Sequence, residues 1–562
     1  MRRNFHIRLL LAFLFLISLA GCQAQQTTVM SNQSITNEPI VSDDKKANEK
    51  EDNTAMNKGE DMNTNGNQPK AEYKPTIANP EKLFENIELV DPYKKIGYHN
   101  PLVSQRFGAD PFAMVYNDRV YVYMTNDAVE YDGAGKVKDN TYGKIKSLNV
   151  VSSDDLVNWT DHSSIQVGGY QGASKWANNS WAPAAIHKKI NGKEQFFIYY
   201  ADSARGIGVL QGDSPVGPFA DPIGKPLVSK QTENCSDIVW LFDPAVFTDD
   251  NGKSYLYFGG GVPEGQDEMP NTGRVVELGE DMISIVGTPK VIEAPYFFED
   301  SGVNKIGNTY YYSYCSNWAS RDNAVGPYKP DTAAIIYMTS DNPIGPWQYQ
   351  KSILLNPGKF FGTYGNNHHS MVNFKGKWYM FYHSQLLQDN MGMKGGYRST
   401  HVDEVQINDD GSIQSVIATK FGVKQLSNFD PYKVNEAETM AWMGGITTKR
   451  IDESSSNYGA INLAVTDITT GDWIGLSNVD FGDTTPTTFT AKVSSEYAGN
   501  VIKIAADKQD GESIGYLEVP KTDSSDKYVE VTVNVSQITG AHNLFFIFNG
   551  QGFNFDSWSF KK

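Results

Sequence analysis

Cysteine is scarce. The three present in 562 residues, Cys22, Cys235 and Cys315, form no CxxC pair and no His/Cys cluster, which argues against a structural zinc site. Cys235 and Cys315 are left either to pair outside the cell or, as expected here, to stay as two buried thiols. Basic residues are also in deficit, 49 Lys and Arg against 66 Asp and Glu, and the formal net charge of -17 speaks against nucleic acid or anionic lipid as partners. It suits a secreted protein acting on neutral polymers. The apolar run Leu9–Ile17 is too short for a comfortable transmembrane helix. Aromatics are missing from residue 23 until Tyr73. Elsewhere they are plentiful, 12% of the chain alongside 50 glycines, which favours many short strands and tight turns over long helices.

In chain order, Arg2, Arg3 and Arg8 precede the apolar run and small residues follow it, the layout of an export signal over 1–22. Leu19-Ala20-Gly21-Cys22 resembles a bacterial lipoprotein box, which implies cleavage before Cys22, lipidation of its thiol and an extracellular protein held at the cell membrane. Residues 23–90 are rich in Asn, Gln, Thr, Lys, Asp and Glu; such a segment buries too little apolar surface to offset its ordering entropy and is expected to be a disordered tether.

Over 91–430 one unit repeats. VYVYMT (120–125), QFFIYY (195–200), SYLYFG (254–259), TYYYSY (309–314) and WYMFYH (378–383) read as the second strands of hairpins. The turns Asn117-Asp118, Asn191-Gly192, Asn251-Gly252 and Lys375-Gly376 supply the positive φ that tight hairpins need, and the remaining strand follows Gly307-Asn308. SPVGPF (214–219) and NPIGPW (342–347) recur at like positions after their hairpins. These units predict an all-β fold with a five-bladed propeller. Residues 431–562 carry short alternating strands with polar or glycine breaks and predict a β-sandwich of jelly-roll type.

The first aromatic of each second strand serves as a ruler. Asp110 lies 11 residues before Tyr121, Asp243 lies 12 before Tyr255, Glu299 lies 11 before Tyr310, and His368 lies 10 before Trp378. Four blades would then present a titratable group at the start of the innermost strand, facing the central funnel. Converging carboxylates raise one another's pKa and are costly unless used. Glycoside hydrolysis uses such a set: one carboxylic acid kept protonated, one carboxylate ionised to activate water, a third to tune the acid. Taken alone, an Asp-Pro at a strand entrance is as often only a turn or cap. Glu293, in IEAP, competes for the acid role but lies 17 residues before Tyr310, off the shared level.

GADPFAMVYNDRVYVYM, SSDDLVNWTDH, SWAPA, VWLFDPAVF, FFEDSG with YYYSYC, FFGTYGNNHH and GGYRS, in that order, resemble the arabinoxylan arabinofuranohydrolases of glycoside hydrolase family 43. The resemblance implies a five-bladed propeller that hydrolyses with inversion. It places Asp110 as general base, Glu299 as general acid and Asp243 as the pKa modulator, with Asn366 and Arg398 in the substrate pocket. Trp318 falls where close relatives carry Phe, so a sugar-stacking wall and core packing are both open to it. His368 matches a central histidine that in the family contacts a buried calcium or its waters; a hydrogen-bonded core histidine is the other reading. VNEAETMAW (434–442), GDWIGLSNVDFG (471–482) and NFDSWSF (554–560) resemble a family 6 carbohydrate-binding module, which implies a structural calcium held by Glu436, Glu438 and Asp556. Catalysis itself would need no metal or other cofactor. The implied activity is release of α-L-arabinofuranosyl side groups from arabinoxylan by a monomer. A β-xylosidase or endo-arabinanase of the same fold, or a surface sugar-binding lipoprotein without turnover, are the alternatives.

Overall fold

The computed structural model describes residues 75–322, 324–451 and 461–562, nearly all strand and turn. The export signal, Cys22 and the tether as far as residue 74 lie outside the described residues.

Among the described residues, five antiparallel sheets follow one another as blades. They open on the hairpins Ala109–Tyr116 with Arg119–Thr125, Trp181–Ile190 with Lys193–Ala201, Ala245–Thr248 with Ser254–Gly259, Phe297–Ile306 with Thr309–Ser316, and His369–Phe374 with Lys377–Ser384. The first strand of each blade touches the first strands of both neighbours, and His369–Phe374 of the last meets Ala109–Tyr116 of the first. The ring is therefore closed, and the expected five-bladed propeller is the observed fold. Asn117 and Asp118, Asn191 and Gly192, and Lys375 and Gly376 all take positive φ, the turn whose twist matches the strands it joins.

Each second strand is buried on both faces, which explains its unbroken apolar character. Side chains alternate along a strand, so Val120, Val122 and Met124 pack toward the fifth blade while Tyr121 and Tyr123 pack toward the second. In the fourth blade Tyr312 and Tyr314 face the third, and Tyr311 and Cys315 face the fifth. The repeated Pro phrases lock adjacent blades. Tyr123 of the first blade donates its hydroxyl to the Pro215 carbonyl of SPVGPF (2.5 Å), and Tyr257 of the third donates to Pro343 of NPIGPW (2.5 Å).

The C-terminal part is a sandwich of two antiparallel sheets around Phe489, Phe546, Phe548, Phe555 and Trp558. Trp442, Trp473 and Trp558 are fully buried, so none of them is a platform for sugar. Two features depart from the expected boundaries. The tether does not run to residue 90. Thr76 and Ile77 donate to the Glu518 carboxylate, Pro80–Phe84 forms a 3-10 turn, and Phe84, Ile87 and Leu89 cover the module's Trp442, Trp473 and Phe545. Trp473 Nε1 donates to the Val90 carbonyl (2.8 Å). Gly471 makes the close approach possible, because a Cβ there would lie 2.1 Å from the Glu88 oxygen. Polar composition hid this strap, since its few apolar residues bury themselves on another part of the chain. Further on, Thr439–Met440, past the expected boundary at 430, pairs with Trp159–Thr160 and adds a fifth strand to the first blade.

Candidate active site

The blade entrances share an uncommon backbone. Asp110 (φ 49), Ala182 (φ 42) and Asp243 (φ 47) are left-handed residues, each followed by proline. Left-handed backbone costs a residue with a Cβ roughly 1–2 kcal/mol, so the packed ring must hold it in place. In the fourth blade the left-handed residue is Asp300 (φ 66), next to Glu299, where the pairing slips between Glu299–Cys315 and Gly302–Ser313. Counting back from the aromatic ruler marks Glu299 and misses Asp300.

The structure brings the predicted Asp110, Asp243, Glu299 and His368 together, all buried. His368 Nδ1 is 3.6 Å from both Asp110 Oδ1 and Asp243 Oδ2, and its Nε2 is 3.2 Å from Asp300 Oδ1. The Asp300 amide donates to Asp243 Oδ2 (3.0 Å), and the other Asp300 oxygen lies 2.5 Å from His369 Nδ1. Asp110 is held on every side. Arg398 Nη1 donates to Oδ1 (2.8 Å), Thr125 Oγ1 donates to Oδ2 (2.7 Å), and the Asp110 amide donates to His383 Nδ1 (3.0 Å).

These contacts separate the carboxylates electrostatically. Burial would raise Asp110, but the Arg398 guanidinium and then the imidazoles of His383 and His368 outweigh it and hold Asp110 well below the usual carboxylate range. Glu299 goes the other way: burial first, then the charges of Asp110 and Asp300, push it up to about 8. Asp243 is raised by burial, then by Glu299 and Asp110. Burial and repulsion from neighbouring carboxylates both disfavour ionising this pair, so at neutral pH the Asp243–Glu299 pair retains a proton beside an ionised Asp110. The funnel thus presents an acid and a base at one pH.

The remaining predicted residues fall as follows. Arg398 is buried, with its Nε and Nη2 on Asp127 (2.8 Å each). Most of its donors are spent on carboxylates, which narrows the expected role in binding sugar hydroxyls. The Asn366 carbonyl lies 2.9 Å from His383 Nε2, and Asn366 borders a cleft of about 600 Å³ with Tyr142, Tyr364 and Gln385. Trp318 is 44% exposed, three residues past Cys315, so it is not core packing. Glu293 is exposed just past strand Ile285–Ile292, away from the buried cluster. Cys235 and Cys315 are buried and unpaired. Among the described residues no group of three or more His, Cys, Asp or Glu is gathered to hold a metal ion. Both His368 nitrogens face carboxylates. In the module Glu436, Glu438 and Asp556 are buried, and burial, then Glu436 and Asp556, raise the Glu438 carboxyl, whose Oε2 has no hydrogen-bond partner. Asp556 meets Lys492 (2.9 Å) and Asn462 (2.9 Å).

Sequence reasoning missed Asp127, Asp300, His383, Trp181 and Tyr142. Trp181 carried a signal: SWAPA is the second blade's version of the Asp-Pro entrance, and its indole donates to the Tyr142 carbonyl (3.0 Å). Tyr142 stacks over Arg398 (5.1 Å) from a long loop with no repeat to mark it.

Residues 98–413 match the family described as Glycosyl hydrolases family 43, and residues 436–562 match Carbohydrate binding module (family 6). The chain is 48% identical over 485 residues to an arabinoxylan arabinofuranohydrolase of Bacillus subtilis (strain 168), covering 83% of this chain and 93% of that protein. It is 44% identical over 485 residues to an arabinoxylan arabinofuranohydrolase of Paenibacillus polymyxa, covering 84% and 75%. The crystal structure of a family 43 arabinoxylan arabinofuranohydrolase from Bacillus subtilis, in complex with cellotetraose, superposes with a TM-score of 0.81 at 47% identity, covering 84% of this chain and 99% of that one.

Proposed function

The chain belongs to glycosyl hydrolases family 43, and from that premise we propose that it removes α-L-arabinofuranosyl side groups from arabinoxylan in a single inverting displacement. Asp110, ionised, takes a proton from the attacking water. Glu299 gives its proton to the departing xylan oxygen, and Asp243 keeps that proton in place until it is needed. The observation that carries this reading is the unlike company of two buried carboxylates: Asp110 accepts from the Arg398 guanidinium (2.8 Å), which holds it low, while Glu299, whose Oε1 has no hydrogen-bond partner, is pushed up to about 8 by burial and by the charges of Asp110 and Asp300. The substrate follows the two relatives named above, both arabinoxylan arabinofuranohydrolases. Incubation with wheat arabinoxylan and, separately, xylobiose tests it. Arabinose from the first is expected. Xylose from xylobiose as the main product would make the enzyme a β-xylosidase, and no sugar from any plant polymer would leave only a binding protein. Asp110→Ala and Glu299→Ala should each abolish turnover in a folded protein; a dead Glu293→Ala beside an active Glu299→Ala would overturn the acid assignment.

The module is read as a family 6 carbohydrate-binding module whose Glu436, Glu438 and Asp556 hold a structural calcium. Oxygen-only donors suit that hard cation, and the unpartnered Glu438 Oε2 fits a ligand role. A melting temperature unmoved by chelator and by added calcium would count against it. Lipidation at Cys22 would keep a monomeric, extracellular enzyme at the bacterial cell membrane; a Cys22→Ser protein should appear in the medium.

A further inference from the structure

Asp127 belongs to no motif, yet it is fully buried two residues past the strand Arg119–Thr125. It accepts three hydrogen bonds from Arg398: from Nε to Oδ2 (2.8 Å), from Nη2 to Oδ1 (2.8 Å) and from the amide to Oδ2 (3.0 Å). Two parallel bonds fix the plane of a guanidinium as a single bond cannot. With that plane fixed, Nη1 is aimed at Asp110 Oδ1 (2.8 Å). The second Asp110 oxygen is fixed independently, by Thr125 Oγ1, which itself accepts from the Ala182 amide (2.8 Å). A carboxylate held through both oxygens cannot turn about its own axis without breaking one bond.

We infer that Asp127 is a positioning residue: it clamps Arg398 so that Nη1 fixes the orientation in which Asp110 meets its water. The inference rests on the reading of Asp110 as the base. The clamp also joins two walls of the funnel. Asp127 opens the loop that carries Tyr142, whose ring lies 5.1 Å from the guanidinium, and Arg398 follows the loop in which the Gly395 carbonyl accepts from the Asn140 amide (2.7 Å). A buried ion pair kept only for stability is often replaceable by an apolar pair. This one has a third edge aimed at the reacting group, and a replacement would lose it.

The test is a double-mutant cycle on arabinose release, with thermal unfolding measured in parallel. Asp127→Asn keeps the volume and breaks the fork. A small misplacement of a catalytic group costs about 10²-fold, so kcat should fall by about that factor while KM moves less than about threefold. On an Arg398→Met background the same change should cost less than about twofold, because the clamp then has nothing to hold. An undiminished loss on that background, a change in KM alone, or wild-type kcat in Asp127→Asn would each overturn the proposal. Should Asp127→Asn not fold, Asp127→Asn/Arg398→Met, which removes both charges of the clamp and leaves Asp110 as it stands in Arg398→Met alone, must match Arg398→Met in kcat or the idea fails. Wild-type protein that releases no arabinose would instead fault the reading of the activity, before any variant is compared.

Discussion

Replacing Asp300 by Asn should move the alkaline limb of kcat/KM to lower pH. Asp300 is fully buried next to Glu299, and its negative charge is one of the causes that raise Glu299 to about 8, after burial and Asp110. At an effective dielectric of about 20, two unit charges repel by about 4 kcal/mol at about 4 Å and by half that at twice the separation, and about 1.4 kcal/mol corresponds to one pH unit. The imidazoles of His368 and His369, both against Asp300, spread that charge, so a fall of about one pH unit is expected. The sign follows directly. Without the negative neighbour the ionised form of Glu299 becomes less costly, Glu299 gives up its proton at lower pH, and the acid is lost sooner as pH rises. Asn is suited to the change, since it tolerates the φ of 66 at this position and keeps the amide that donates to Asp243. The assay is arabinose release from arabinoxylan at low substrate concentration between pH 4 and 10, at constant ionic strength. A limb that stays near pH 8, or moves up, refutes the electrostatic account of the acid. A uniform drop in rate with no movement of the limb would mean that Asp300 serves only packing.

Three further outcomes follow from the same contacts. Glu299→Gln should stabilise the fold at pH 7: the native state holds a proton between the ordinary value of 4.5 and about 8 that the unfolded chain has released, so wild-type stability falls as pH rises through that window, and removing the group recovers at most about 3 kcal/mol. Denaturant unfolding at pH 5 and pH 7.5 checks it, with the gain confined to the higher pH. Tyr123→Phe leaves the buried Pro215 carbonyl without its donor and should cost about 1–3 kcal/mol; Tyr257→Phe, losing the bond to Pro343, should match it, and two neutral changes would deny the Pro phrases their role between blades. A protein beginning at residue 75 should melt like the full chain. One beginning at 91 loses Phe84, Ile87 and Leu89 from the Trp442–Trp473 face; they are only partly buried there, so each contributes less than the about 1.5–3 kcal/mol of full burial, and the protein should melt several degrees lower; equal melting of the two would show the strap to be dispensable.

The propeller was legible because its repeat is enforced twice over. A strand buried on both faces must be apolar at every position, and the hairpin before it must turn with positive φ; VYVYMT after Asn117-Asp118 meets both demands within a dozen residues. Asp110, Asp243 and Glu299 were legible for a related reason: nearly equal sequence offsets in a repeat, 11, 12 and 11 residues, become nearly equal heights in the ring. Where the offset is broken the method fails, and the slipped pairing between Glu299 and Gly302 concealed Asp300. What could not be read at all are contacts that close the ring across the chain. Arg398 meets Asp127 over 271 residues of sequence and His383 meets Asp110 over 273, and nothing local requires either. Yet these long-range partners set the chemistry. A count along the chain finds three carboxylates and cannot say which keeps its proton. The answer lies in Arg398 being aimed at Asp110 by Asp127, while Glu299, equally buried, feels the charges of Asp110 and Asp300. Acid and base are one residue type told apart by the company that a closed ring imposes, so the roles of the three carboxylates are properties of the fold, where their identity was already a property of the repeat.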